Sequence, residues 1–424
     1  MTSIVWIKHA SQLATMAQNS TRPRIKEEMN NLSIIEDGSI WIEDGLIKAV
    51  GTTNELEEQF KDRAHEADIT DATGHIVTPG LVDPHTHVAY GGSREREFEM
   101  RLEGATYMDI MNAGGGIHAT TKMTREATEE ELVEQSKKRL DSFLKHGVTT
   151  VEGKSGYGLD LKNELKQLRV MKRLQEEHPI DLVPTFMGAH AVPTDYKGRE
   201  EDFVDLIINE MLPAVTNEKL AVFNDVFCEV GVFTPEQSER ILEVGKKYGL
   251  TPKIHADEIE PYGGAELAAK VGAISAEHLL KASDEGIKAM AAAGTIACLL
   301  PATALFLREQ AAEGRKMIDQ GVPVAISTDC NPGSSPTTSM PLVMNLACIS
   351  MRLTPAEALT AATYNAACAI QMEDKTGSLE LGKQGDVVLW GISNYQELQY
   401  LFGVNHVKTV WKKGVKVVDG SCND

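Results

Sequence analysis

PGLVDPHTHVAY, residues 79–90, sets His85 and His87 two positions apart at the end of an apolar run, GHIVTPGLVD. In an extended strand the side chains of i and i+2 point to the same side. Two imidazoles on one side of a strand mouth are the start of a metal site. A lone His-x-His also suits a surface or core pair. The reading therefore depends on whether the rest of the chain supplies further ligands in matching places.

Beyond this segment the chain alternates short apolar runs with amphipathic stretches as far as about residue 335. Eight runs read as strands: HIVTPGLVD, GVTTVEG, DLVPTFMG, VFNDVFCEV, TPKIHA, ISAEHL, TIACLLP and PVAISTD. Helices between them stop at Gly147, Gly249, Gly272, Gly294 and Gly321, and glycine accepts the left-handed conformation that ends a helix. Thr234 reads as an N-cap, with Pro235 in the first turn and Glu236 at the positive helix end. TPAEALTAATYNAACAI, residues 354–370, reads as a helix that opens the same way. Eight strand–helix alternations predict the α/β class and a TIM-like (β/α)8 barrel. The alternative is an open doubly wound sheet, but no GxGxxG follows the first strand to give it a phosphate loop.

The two ends read as short strands and turns. Asp37-Gly38 and Asp44-Gly45 are hairpin signals. Neither end has enough strands for a stable sheet alone. The expectation is one small β-sandwich domain built from both termini, residues 1–79 plus 372–424, flanking a barrel over residues 80–371. Residues 11–30, SQLATMAQNSTRPRIKEEMN, read as loop-like or mobile.

Composition narrows the partners. The chain has 424 residues, 42% of them hydrophobic, enough for a large core. Lys plus Arg is 42 against 62 for Asp plus Glu, a formal charge of −20. With no basic stripe, nucleic acid is not an expected partner. The same field repels an anionic substrate at long range, so a site for one needs its own local cation. Cys228, Cys298, Cys330, Cys348, Cys368 and Cys422 are scattered without a CxxC, which fits a reducing, cytoplasmic setting. The N-terminus MTSIVWIKHA has no signal-peptide pattern. Residues 289–306 carry no charge over 18 positions, close to membrane-spanning length. Gly294 and Pro301 divide that run into a helix end, a strand and a loop, so a buried barrel is expected and no membrane association.

Catalytic groups of such barrels sit at the C-terminal ends of strands, and the polar residues here follow that rule. Strand one ends in His85 and His87, strand two leads to Lys154 and Tyr157, and strand three ends at His190. Strand five ends in His255-Ala256-Asp257-Glu258, strand six carries Glu277-His278, and strand eight ends at Asp329 before Cys330-Asn331-Pro332-Gly333-Ser334. Each has a plainer explanation. His255 alone suits a hydrogen-bonded interior histidine, Asp329 a turn cap, Glu258 a helix N-terminal acid, Tyr157 packing and Lys154 an ion pair. Their convergence on one end of one barrel favours a metal site. Three imidazoles and a carboxylate, from His85, His87, His255 and Asp329, suit Zn²⁺ or Fe.

PGLVDPHTH, the HADE after strand five, the histidine after strand six and STDCNPGS resemble the amidohydrolase superfamily over essentially the whole chain. GGSREREFEMR, GKSGYGL, GAHAVP, IHADEI and STDCNPGS together resemble a ring-opening branch of it that serves histidine degradation. The resemblance implies hydrolysis of the cyclic amide of 4-imidazolone-5-propanoate to N-formimidoyl-L-glutamate. It implies the same four ligands and a homodimer. Dinuclear relatives use a carboxylated lysine at the end of strand four. Here VFNDVFCEV offers Cys228 and Glu229 but no lysine, which argues for one Zn²⁺ or Fe ion per subunit, with Glu229 left open as a second-metal bridge.

On this reading Asp329 takes a proton from the metal-activated water. His278 meets the water or the oxyanion, a donor worth roughly 3 to 4 kcal/mol. Glu258 and His278 both stand as donors to the leaving nitrogen. Arg94 lies just past the HxH loop and suits the small-molecule substrate's carboxylate tail by a bidentate grip. Its competing explanation is surface pairing with Glu95, Glu97 or Glu99. Tyr157 and His190 would hold ring and tail, and Asn331, Gly333 and Ser334 the product's other carboxylate. Two rivals remain: an aminohydrolase acting on a nitrogen heterocycle, distinguished by ammonia release, and a catalytically silent assembly protein on the same fold, distinguished by lack of metal.

Overall fold

The computed structural model describes residues 3–18, 20–105, 109–110 and 114–420. Cys422 and the ends of the expected terminal domain lie outside the described residues. The first strands are β1 (Ile4–Ala14), β2 (Ile34–Glu43), β3 (Leu46–Thr52), β4 (Asp68–Asp71) and β5 (Ile76–Pro79). Eight more follow: β6 (Leu81–Asp83), β7 (Val148–Lys154), β8 (Asp181–Ala189), β9 (Phe223–Cys228), β10 (Thr251–Ala256), β11 (Ser275–His278), β12 (Ile296–Leu299) and β13 (Val324–Ile326). The chain ends with β14 (Val387–Trp390), β15 (Val407–Lys412) and β16 (Val415–Asp419).

Strands β6 to β13 pair in sequence order, every pair parallel, as the (β/α)8 reading requires. They are buried on both faces because helices cover the outside. The first and last strands meet above their ladders. Asp329 N donates to His85 O at 3.1 Å and His87 N to Cys330 O at 3.0 Å, with a parallel bridge between Thr86 and Cys330. The seam that closes the barrel is thus made of the backbone of the proposed ligands.

The other eight strands form one mixed sheet from both ends of the chain, in the order β16-β15-β14-β5-β1-β2-β3, with β4 beside β1. It encloses its own core, in which Ile7, Leu13, Ile40 and Ile47 from one end meet Val387, Leu389 and Trp411 from the other. The run HIVTPGLVD is two strands, not one: β5 joins the small sheet and β6 the barrel, with Gly80 between them. A Cβ on Gly80 would lie 2.2 Å from Thr149 Oγ1, so only glycine lets the chain pass there.

Local signals fared unevenly. Gly147, Gly249, Gly272, Gly294 and Gly321 all have positive φ, as helix stops should. Thr234 caps the helix Pro235–Lys247 by accepting from Gln237 N. Asp44-Gly45 forms the β2–β3 turn, both with positive φ. Asp37-Gly38 is not a hairpin. It lies inside β2, opposite a register shift in β1 between Ile7 and Ala10, where His9 and Asp37 both take positive φ. Residues 354–370 form two helices, Pro355–Ala361 and Tyr364–Ala369. The uncharged run over 289–306 ends one helix, passes through β12 and enters a helix, Pro301–Leu307, where a loop was expected. Among the described residues no helix is long and apolar enough to cross a membrane.

The described residues within 11–30 are not the loose segment expected. Residues 11–14 complete β1, and a 3-10 turn spans Lys26–Asn30. Between them Arg24 is buried, donating to Gln18 Oε1 at 2.9 Å, to Met16 O at 2.7 Å, to Ala17 O at 3.0 Å and to Asn31 O.

Candidate metal and substrate site

Ligand atoms of His85, His87 and His255 lie within 4.8 Å of one another, as do those of His85, His278 and Asp329. Asp329 Oδ1 is 3.3 Å from His85 Nε2 and 3.7 Å from His87 Nε2. His278, read from sequence as an oxyanion partner, therefore also stands within ligand reach. The chain turns at two of these positions through strained backbone. Asp329 has φ 52° and His278 φ 70°, a conformation that costs a non-glycine residue about 1–3 kcal/mol and clusters at functional sites.

The donor set fits a metal ion. Burial holds the pKa values of His85, His87 and His278 well below the usual histidine range, so these rings are neutral, the form that ligates. His85 Nδ1 is 2.8 Å from Glu277 Oε2 and His255 Nδ1 is 3.0 Å from Asp225 Oδ1. A carboxylate at Nδ1 fixes the tautomer with the proton there and leaves Nε2 as the lone-pair donor. The Nε2 atoms of both rings are buried and have no hydrogen-bond partner among the described residues. Two buried acceptors without a partner, one of them 3.3 Å from the Asp329 carboxylate, are costly unless a cation completes them. Glu229 does not suit a bridge to a second ion: its oxygens accept from Val230 N at 2.8 Å and Ile259 N at 2.9 Å.

A cavity of about 300 Å³ opens over this cluster. His87, Arg94, Tyr157, His190, His255, Glu258, His278, Asp329, Asn331, Gly333 and Ser334 all line it; fully buried His85 completes the predicted set behind the wall. Burial, with Asp329 and Glu229 nearby, pushes the Glu258 carboxyl up to about 8; its Oε2 is 3.6 Å from His278 Nε2. Burial pushes Asp329 up to about 6 against a 2.7 Å hydrogen bond from Thr303 Oγ1 to its Oδ2.

His190 stacks on His87, with centroids 4.9 Å apart and planes 14° apart, and its Nδ1 is 3.0 Å from Gly156 O. The GKSGYGL loop is wound round Glu164, whose carboxylate accepts from the amides of Gly156, Gly158 and Leu159. That fixes Tyr157, whose ring centroid is 5.3 Å from that of His190. Arg94 pairs with Glu97 through Nε at 2.9 Å and Nη2 at 2.7 Å, so part of the competing explanation holds, yet its side chain is mostly buried against the cavity. Asn331 Oδ1 accepts from Gly333 N and Ser334 N, both at 2.8 Å. Those two amides are occupied, and so are the side chains: Asn331 Nδ2 donates to Asp329 O at 2.8 Å and to Ser334 Oγ at 2.9 Å, so this turn must release an internal bond to take a ligand.

Sequence reading passed over Asp225, Lys253 and Thr303 and gave Glu152 no role. A charged side chain at an inward position of a strand buried on both faces must be paired. Asp225 within VFNDVFCEV and Lys253 two before His255 carried that signal.

The sequence profile of the amidohydrolase family matches residues 76–417. The imidazolonepropionase of Brevibacillus brevis is 66% identical over 418 residues, 99% of each chain. That of Geobacillus kaustophilus is 62% identical over 415 residues, 98% of each. Among solved structures, E. coli guanine deaminase superposes with a TM-score of 0.74 at 15% identity, covering 98% of this chain and 99% of that one. A triazine hydrolase variant gives 0.75 at 19% identity, covering 98% and 95%. At those identities the two structures speak for the fold alone. The chain belongs to the amidohydrolase family, among its imidazolonepropionases.

Proposed function

We propose that this chain hydrolyses the cyclic amide of 4-imidazolone-5-propanoate to N-formimidoyl-L-glutamate, in histidine degradation. The observation that carries the reading is one cavity lined by three of the four proposed ligands and a buried guanidinium, in a chain 66% identical to an imidazolonepropionase. His85, His87, His255 and Asp329 would hold one Zn²⁺ or Fe ion per subunit. When bound, that ion supplies Lewis acidity, polarising the carbonyl and easing the ionisation of water.

Asp329 accepts a proton from the attacking water, its Oδ2 anchored by Thr303 and its Oδ1 turned to the histidines. A bond forms from the water oxygen to the ring carbonyl carbon, and the bond from that carbon to the ring nitrogen breaks. The nitrogen takes a proton from Glu258, which is protonated at neutral pH because its pKa lies near 8. Asp329 returns its proton to Glu258, and the new carboxylic acid ionises to solvent. His278, neutral, donates to the developing oxyanion. Arg94 grips the propanoate tail, Tyr157 and His190 hold ring and tail, and the turn of Asn331, Gly333 and Ser334 meets the carboxylate formed on ring opening by exchanging an internal hydrogen bond for one to the product.

A cytoplasmic homodimer completes the proposal. Unpaired Cys228, Cys298, Cys330, Cys348 and Cys368 support the reducing compartment, and the dimer rests on family resemblance. The test is incubation of the purified protein with 4-imidazolone-5-propanoate, following ring absorbance, ammonia and metal content on one sample. Ring absorbance should fall without ammonia. Ammonia release would make the protein an aminohydrolase, and neither turnover nor metal would make it a silent relative.

A further inference from the structure

Inside the barrel, on the strands that carry the histidines, lies a layer of charge. Glu152 and Lys154 alternate along β7, Asp225 stands on β9, Lys253 precedes His255 by two on β10, and Glu277 stands on β11. All five are fully buried. The register sets Lys253 opposite Asp225 and His255 opposite Glu277. Such an interior is normally filled by apolar side chains, and exchanging buried ion pairs for apolar groups often leaves a protein as stable or more so. Stability alone is a weak reason for this layer.

Its bonding points elsewhere. Each carboxylate that meets a histidine is held at its other oxygen. Asp225 gives Oδ1 to His255 and Oδ2 to Lys154 Nζ at 2.7 Å. Glu277 gives Oε2 to His85, while its Oε1 takes Ser275 Oγ at 2.5 Å with Lys253 Nζ 3.5 Å away. The ammoniums are anchored in turn, Lys154 by Glu152 Oε1 at 2.7 Å and Lys253 by the carbonyls of Pro84 and Ala369. Two chains of contact result, Lys154–Asp225–His255 and Lys253–Glu277–His85. Both end on an Nε2 that has no hydrogen-bond partner among the described residues.

We propose that Lys154 and Lys253 are positioning residues: by gripping the outer oxygens of Asp225 and Glu277, they lock His255 and His85 with both Nε2 atoms aimed at the metal. The inference rests on the metal reading above. It is tested by titrating the metal-free protein with Zn²⁺ against a chromogenic chelator, so the readout is affinity rather than turnover. In Lys154→Met combined with Glu152→Gln, which removes one charge of each sign, Zn²⁺ should bind about 10–100-fold more weakly. Lys253→Met should weaken it in the same direction. Adding Asp225→Asn to the Lys154 variant should cost little beyond Asp225→Asn alone, because both act through one carboxylate. Unchanged affinity in both lysine variants, or losses that multiply, would overturn the proposal. So would a balanced variant that fails to fold by circular dichroism, since the lysine would then serve the barrel rather than the ligands. A wild-type protein that takes up no Zn²⁺ would sink the metal reading itself; equal binding by wild type and variants sinks only the lysines' role.

Discussion

Arg94 occupies the space where a side chain on Gly333 would begin: a Cβ there would lie 2.1 Å from Nη1, and Glu97 holds the other edge of the guanidinium. The segment after β13 and the segment after the histidine pair therefore meet at one cation. Gly333→Ala should push Arg94 aside and raise KM for the carboxylated substrate about 10-fold. Arg94→Met should raise it about 100-fold, the loss of roughly 3 kcal/mol of charge-assisted hydrogen bonding. Metal content should stay at the wild-type level in both. If Arg94→Met loses metal in step with affinity, the arginine is structural and the tail has another partner.

Asp329 has one oxygen on Thr303 and the other facing two histidines, so the presence of its carboxylate and the orientation of it separate by substitution. Asp329→Ala should cut kcat by at least about 10³, near the upper range for a positioned acid–base group. Thr303→Val keeps the carboxylate but frees its rotation, and should cost about 10-fold. Substantial turnover by Asp329→Ala would reassign the proton acceptor.

Glu258 supplies the pH dependence. With its pKa raised to about 8 by burial, it is a protonated acid below that value and an anion above it. Proton donation to the leaving nitrogen should therefore fail as pH rises through about 8, and kcat/KM should fall tenfold per unit beyond it. Glu258→Gln should be slow at every pH and lack that alkaline limb. A limb that persists unchanged in Glu258→Gln belongs to another group.

What the sequence disclosed follows physical range. Strand count, helix stops and the clustering of histidines and acids at the strand mouths were legible because each depends on a few neighbouring residues. Thr234 with Gln237, and Gly294 at its helix end, are such cases. Asp37-Gly38 misled because the dipeptide is equally at home in a bulge, and the partner strand that makes it one, β1, lies far off in sequence. The charged layer was hidden for a related reason. Lys154 looks like any lysine until Asp225, 71 residues away, is set beside it. His278 broke the alternation rule: its neighbour Glu277 faces inward, and only a positive φ brings His278 to the same site.

Arg24 offers a test of the small domain's attachment that leaves the chemistry alone. Its side chain satisfies the carbonyls of Met16, Ala17 and Asn31, and its backbone exchanges hydrogen bonds with Asn365, which also donates to Val324 O at the start of β13. Polar residues over 11–30 hid this, since a loop bound by one buried guanidinium has no periodic pattern. Arg24→Met keeps the length and removes the donors, leaving buried carbonyls unpaired at about 1–3 kcal/mol each. Stability to urea should fall by about 3–5 kcal/mol, while kcat of the folded fraction stays at the wild-type value. A midpoint that does not move would mean water replaces the guanidinium without loss. A change in kcat at constant folded fraction would mean that this segment, through Asn365 and β13, governs the placement of Asp329.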